Sequence, residues 1–370
     1  MKKLLFLMLT VSLFTACSTD EDETEFDNPE VPVAKCEIIE VSGKISEPTV
    51  WKEGFVYVIN GSGLSVESVL TIEPGVIVKL KNAGISIYEE GKILANGTAD
   101  KRIVFTSLAD DRYCGDTNGD GVATKAEKGD WIDLDLHGTI GSVFKYVDIF
   151  FAGQPSGGNS HAVVIGWAQS VAFTFDHCRI AHTFYQPGSS SYAFYGSSYM
   201  KDASVSKFTN NALYDNGKPI YFQGYYQLDQ SNVFHNPEVP SVTNKHNGIY
   251  IDINGASDGL SVNWDNTEVP YVYEQVNLIG GTPTATINIK PNVIVKFSYP
   301  TGGLQSYNGS VKLAPTAILT SYKDDTHGGD TNGDGNTTTP SNGDWKGFRI
   351  TDGGTNTYWE QGSNILYSAN

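Results

Sequence analysis

Two acidic, glycine-rich stretches carry the donors to hold a hard cation: CGDTNGDGVATKAEKGDW at 114–131 and GGDTNGDGNTTTPSNGDW at 328–345. In the first, Asp116, Asn118 and Asp120 place side-chain oxygens at alternate positions, and Gly121 permits a sharp turn. The Val122 carbonyl follows, and Glu127 can close the shell with two oxygens. Oxygen donors at this spacing suit calcium, which takes about six to eight hard ligands. Cys and His do not recur at matching spacing, so zinc and copper are not expected. The second stretch repeats Asp330, Asn332, Asp334, Gly335 and the Asn336 carbonyl, but Ser341 stands where Glu127 closed the first. Both copies share the upstream pairs Asp110-Asp111 and Asp324-Asp325, and a downstream Asp130 or Asp344 within Gly-Asp-Trp. We therefore expect two calcium sites completed by the shared carboxylates, with Glu127 dispensable. The competing reading is a pair of metal-free loops rich in Asx turns.

Other residues could do chemistry. Asp133, Asp135 and His137 alternate along WIDLDLH and so face one side of a strand. Two carboxylates side by side are the requirement of glycoside hydrolysis, yet an outward polar row on an exposed strand explains them as well. The second copy reads WKGFRIT there. A lyase would pair calcium with a basic proton acceptor. The only arginines are Arg102, Arg112, Arg179 and Arg349, and Arg112 is replaced by Thr326 in the second copy. Lys145 and Lys207 read equally well as solvated strand positions. His177, His182 and His235 form no recognisable triad. Tyr192, Tyr195, Tyr199, Tyr221, Tyr225 and Tyr226 lie in Tyr/Ser/Gly-rich segments suited to contact surfaces, with glycan or protein as the partner. Trp131 and Trp345 are expected in the core rather than on a sugar.

The chain that must position these residues has 370 residues, with 25 basic against 42 acidic side chains and a net charge of −17. That balance excludes nucleic acid and anionic lipid as partners. The N-terminus reads as an address: MKK, an apolar run too short to span a bilayer, then Leu13-Phe14-Thr15-Ala16-Cys17. The last five resemble a lipobox, which implies cleavage after residue 16 and lipidation of Cys17. The only membrane contact expected is this anchor. The acidic segment after it resembles the signal that sends Gram-negative lipoproteins to the outer face, with a periplasm-facing orientation as the alternative. Residues 17–45 read as a disordered tether. Cys36, Cys114 and Cys178 remain, enough for one disulfide whose partners the sequence does not choose.

Beyond residue 45 the chain alternates short Val/Ile/Thr/aromatic runs with Gly, Asn and Asp, and no segment reads as a helix. The runs bounding the acidic loops, IVFTS and GDWIDLDL, read as strands, so neither loop is a helix–loop–helix switch. LTIEPGVIVKL at 70–80 returns as INIKPNVIVKF at 287–297, IVFTSLADD as AILTSYKDD, and each is followed by its acidic loop. An internal repeat with few hairpin signals points to stacked coils, an all-β solenoid. Asn beside strand ends, as in FTNN and SNVFHN, can stack between coils.

The phrase LTIEPGVIVKL…IVFTS…GDW resembles secreted right-handed parallel β-helix proteins of the pectate-lyase-like type. The resemblance implies one β-helix over 46–370, in two related halves at about 46–255 and 256–370. It says little of activity. The reading is a monomeric outer-membrane lipoprotein with a calcium-stabilised β-helix that binds or adheres to glycan or another surface protein. The alternatives are a calcium-dependent polysaccharide lyase or glycoside hydrolase, and a non-catalytic stalk.

Overall fold

Short β-branched and aromatic runs, each ended by Gly, Asn or Asp, fold as strands that pair in parallel with the coils before and after. The computed structural model describes residues 36–370, apart from 89, 139, 156–158, 167–170, 189, 197–204, 225, 253–260, 277, 281–284, 308–309, 360 and 370. Cys17, Tyr199 and Tyr225 lie outside the described residues. The protein is an all-β parallel β-helix. Among the described strands, only Phe348–Asp352 with Thr355–Tyr358 pairs antiparallel.

The first half has three faces. The first stacks Ile77–Lys81, Ile103–Ser107, Val147–Phe150, Arg179–Ala181 and Ala212–Tyr214. The second stacks Ile85–Ile87, Leu134–Leu136, Asn159–Ile165, Ser190–Gly196, Ile220–Gln223 and Ile249–Asp252. The third stacks Thr49–Trp51, Val69–Ile72, Lys92–Asn96, Ile140–Lys145, Ala172–Asp176 and Lys207–Thr209. One long strand, Phe55–Val66, rounds the corner between the first two faces, pairing with Ile77–Lys81 and then with Ile85–Ile87. Gly63 sits at that corner with φ of +73°, and a Cβ there would come within 2.8 Å of the Gly84 carbonyl.

The solenoid begins earlier than the sequence suggests. Glu37–Ile45, read as tether, is a strand paired along Phe55–Val66. Its pattern is half polar because it is the outer rung, covered on one side only. The second copy joins through Ile249–Asp252, which pairs with Tyr271–Tyr273, then Ile294–Phe297, then Ile318–Ser321. By sequence Ile294–Phe297 repeats Ile77–Lys81, a first-face strand, yet it stacks on the second face. The repeat has moved one face around.

The interior is filled by Val, Ile and Leu and by a column of Phe144, Phe175, Phe194, Phe208 and Phe222. Where coils turn, Asn side chains stack as expected. Asn211 donates to the Phe175 carbonyl and to Asn232 Oδ1, and Asn216 donates to the Ile180 carbonyl and to Asn244 Oδ1. Each amide satisfies backbone groups that a turn strips of ladder partners.

Candidate functional site

Each acidic loop leaves a strand that ends Thr-Ser and returns through Gly-Asp-Trp, and the returns share their main bonds, the second adding a Lys323–Asp344 ion pair at 2.8 Å. Trp131 and Trp345 are fully buried, and their indole N–H groups donate to the Phe150 and Leu366 carbonyls at 2.7 Å. Asp130 accepts from Ser107 Oγ and the Glu127 amide, and Asp344 from Ser321 Oγ and the Ser341 amide. The backbone of Glu127 is what the second copy preserves, so Ser can stand there. Asp110 is buried and held by Thr106 and Arg112, and Asp324 is held by Thr320, Thr326 and His327. Burial opposes these charges, but the donors keep both carboxyls below the ordinary value.

A buried lysine underpins each loop. Lys79 Nζ donates to the Gly115 carbonyl and Thr117 Oγ1 at 3.0 and 2.7 Å. Lys296 Nζ does the same to Gly329 and Thr331 at 2.7 and 2.9 Å. Burial lowers both ammonium groups, Lys296 to about 8, against the pull of the neighbouring aspartates.

Above each lysine sit the remaining acids. Asp116 accepts from the Gly119, Asp120 and Gly121 amides, and Asp330 from the Asp334 and Gly335 amides. Asn118 and Asn332 donate to Asp120 and Asp334 at 2.8 and 2.9 Å. Oδ1 of Asp111, Asp120 and Asp325 is buried without a hydrogen-bond partner. In the second loop, oxygens of Asp325, Asp330 and Asp334 lie within 4.8 Å of one another. Burial, with neighbouring carboxylates adding to it, raises Asp111 and Asp325 above the ordinary carboxylate range. Three converging carboxylates in the second loop, with an unpartnered Oδ1 on Asp325, fit a hard cation. The structure thus separates the predicted ligands. Among the described residues, Asp325, Asp330 and Asp334 of the second loop bring carboxylate oxygens together, whereas Asp111, Asp116 and Asp120 of the first do not form such a cluster. Asp110, Asp324, Asp130 and Asp344 anchor the loops. The seventh positions diverge: Asn336 takes φ of +67°, which Val122 does not share, and the Val122 side chain is exposed.

A groove lies elsewhere, on the third face, with a volume of about 830 Å³. Its floor is a row of Asn96, Lys145, Asp176 and Thr209 and a second row of Val143, Thr174 and Lys207. Gln227, Asp229 and Ser231 form one wall. Asp176 accepts from Thr209 Oγ1 and Asn210 Nδ2 at 3.0 and 2.9 Å. Lys145 and Lys207 are exposed and have no carboxylate partner among the described residues. Two coils and two residues separate them, about 12 Å at ordinary strand spacing and rise.

The tyrosines are largely turned inward. Tyr226 is a core residue whose hydroxyl donates to the Ser206 carbonyl. Tyr192 is buried and donates to Glu274 at 3.1 Å. Tyr195 and Tyr221 are half-buried; along the second face Tyr195 stacks on His161 at 4.4 Å and on Tyr221 at 5.0 Å between centroids. Their ring faces cover one another, and the Tyr221 hydroxyl is engaged by the buried Asp252.

A family model described as a pectate-lyase like β-helix domain matches residues 43–131. The match covers the first coils and the first acidic loop. No curated protein and no solved structure matches the chain.

Sequence reasoning missed the groove because its lining residues stand about one coil apart in the chain. The signal was the repeated inward Phe between two outward residues in Val143-Phe144-Lys145, Thr174-Phe175-Asp176 and Lys207-Phe208-Thr209, which places outward side chains in rows once the register is known. The disulfide partners are Cys36 and Cys114, and Cys178 is free and buried.

Proposed function

We propose that this protein is a cell-surface β-helix that binds glycan in the third-face groove, anchored by lipid at Cys17 and stiffened by calcium in its two acidic loops. The groove carries the reading. Amides, hydroxyls, carboxylates and ammonium groups drawn from four successive coils line a channel of the size that ligand sites have. Such mixed donors and acceptors on a rigid floor suit the vicinal hydroxyls of a sugar chain. The second-face tyrosines, with ring faces covered, are the weaker candidates, and a surface protein is the alternative partner. The test is affinity electrophoresis of the purified chain in gels containing neutral or acidic polysaccharides. Retardation lost on Lys145→Ala/Lys207→Ala supports the groove; unchanged mobility in every gel overturns it.

Calcium has its own test. With free calcium at about one hundred times its Kd, mass action stabilises the fold by about 2.7 kcal/mol per occupied site. Asp116→Ala with Asp330→Ala should abolish the rise in Tm. A Tm insensitive to both calcium and chelator would leave the loops as metal-free ties.

A further inference from the structure

On the second face, Asp133 and Asp135 turn away from each other rather than toward a shared cleft. Their Oδ1 atoms stand 2.8 Å from where a Cβ on Gly84 and on Gly166, in the preceding and following coils, would lie. His137 takes up Asp135 Oδ2 at 2.6 Å. The third face is built differently, with aliphatic side chains on its outer side. Ile72, Ala95, Phe144, Phe175 and Phe208 are buried, so the residues alternating with them face outward. One outward row runs in register across six strands: Val50, Thr71, Leu94, Val143, Thr174 and Lys207. A strand face meant for water reads polar at its outward positions, yet three of these six are aliphatic. Val50 is 50% exposed, and Ile140 and Val205, toward the strand starts, are 65% and 52% exposed. On the other side of the row Asn96, Lys145, Asp176 and Thr209 run in register. Exposed aliphatic positions bordered by polar ones mark a binding surface.

We infer that this stripe extends the third-face groove, so that the protein holds a long polysaccharide chain laid along the solenoid axis rather than a short oligosaccharide; the inference rests on the glycan reading of the groove. Groove and stripe are continuous. Val143, Thr174 and Lys207 belong to the groove's floor, and the same row runs on through Leu94, Thr71 and Val50, two coils beyond its lining. Six strands about 4.8 Å apart make a strip about 24 Å long, and three rows two residues apart make it about 13 Å wide. That is the outline of a chain, about twice as long as it is broad. An aliphatic row beside amide, ammonium, carboxylate and hydroxyl groups matches a sugar chain, whose ring C–H faces are apolar and whose edges carry hydroxyls. Each aliphatic group the chain covers leaves water, a contribution that hydrogen bonds in the groove do not make. The same dimensions disfavour a second copy of this protein as the occupant. The strip offers roughly 300 Å² per partner, against about 800 Å² in an ordinary stable interface.

The experiment follows retardation of the full chain in gels containing xylan, galactan, mixed-linkage glucan or polygalacturonate. Each polymer that retards it is then cut into size-fractionated oligosaccharides, which compete for binding. Affinity should climb with oligosaccharide length past the span of the groove. Val50→Gln with Leu94→Gln keeps the charge and removes the aliphatic contact. It should weaken polymer binding about tenfold and leave the shortest bound oligosaccharide within about twofold. Lys145→Ala with Lys207→Ala should lose both. Thermal melting checks that each variant folds, and Val50→Gln alone, at a half-exposed position, carries the test with a smaller loss if the double variant unfolds. Undiminished polymer binding in the folded Gln variants, or affinity that stops rising at groove length, overturns this inference and leaves the groove reading standing. A dimer that the Gln substitutions convert to monomer in light scattering also overturns it, because the stripe then belongs to a second copy. No retardation of the parent chain in any gel removes the groove reading and this one with it.

Discussion

The two acidic loops are held by the same bonds to their own strands and by different bonds to everything else. Both rest on a buried lysine, tie a Thr to the first Asp, cap the return with Asp and lock it with Trp. What each leans on differs. The first loop carries Cys114, bonded to Cys36 at the start of the chain's outer strand, and Arg112 lies over Phe150 and Phe151. The second has Gly328 and Thr326 at those positions. It docks instead through Tyr322, whose hydroxyl donates to the Thr331 carbonyl and meets Tyr250 at 3.0 Å. The displacement of the second copy by one face explains the exchange, since each loop meets a different neighbour. Anchorage within the repeat is copied; docking outside it is rebuilt.

Removing the disulfide should separate the loops most. A bridge closing a sequence separation of 78 residues contributes about 4 kcal/mol in the chain-entropy account. Cys36→Ser with Cys114→Ser should lower the Tm and open 108–130 to proteases while 322–343 stays protected. Equal protection of both loops would deny the comparison. The lysines come next. Lys79→Met and Lys296→Met each leave buried acids without their cation, at about 3 kcal/mol. Hydrogen exchange should rise more in the second loop, which has no disulfide to fall back on.

A third effect belongs to the first copy alone, because Gly347 and Arg349 replace Asp133 and Asp135 in the second. Asp133 titrates near 7 when folded and near 3.8 when unfolded. Between those values the folded chain keeps a proton that the unfolded chain has lost, so stability falls as pH rises through that window. Asp133→Asn should flatten the slope and stabilise the protein at pH 8 by roughly 2 kcal/mol, about half the full shift at 1.36 kcal/mol per unit because the carboxyl keeps a wet edge. The smallest effect is Glu127→Ser, which copies the second loop into the first and should change the calcium-dependent stability by less than about 0.5 kcal/mol, since the backbone there does the capping.

The solenoid was legible in the sequence because its determinants are local: alternating runs such as VFKYVDI, Asn at strand ends, and a repeat long enough to align. The paired acidic loops were legible for the same reason, as Asp116 to Asp120 and Asp330 to Asp334 are contiguous. Asp110 and Asp130 were not separable from the ligands, since only the fold reveals Arg112 and Ser107 against them. The groove, the shift of face and the Cys36–Cys114 pair depend on register between coils, which no local pattern encodes. Glu37–Ile45 read as tether because an outer rung needs only half an apolar pattern.

The position of that disulfide also governs how the molecule bears tension. A pull on the N-terminus reaches Cys36 before it reaches the first strand, and there it divides. Part passes through a covalent bond into the first loop, and thence through Trp131 into the core. The rest loads Glu37–Ile45 along its length against Phe55–Val66, so that its hydrogen bonds are sheared together rather than peeled one by one. An oxidised chain should therefore resist extension from that end at forces that unravel a reduced one.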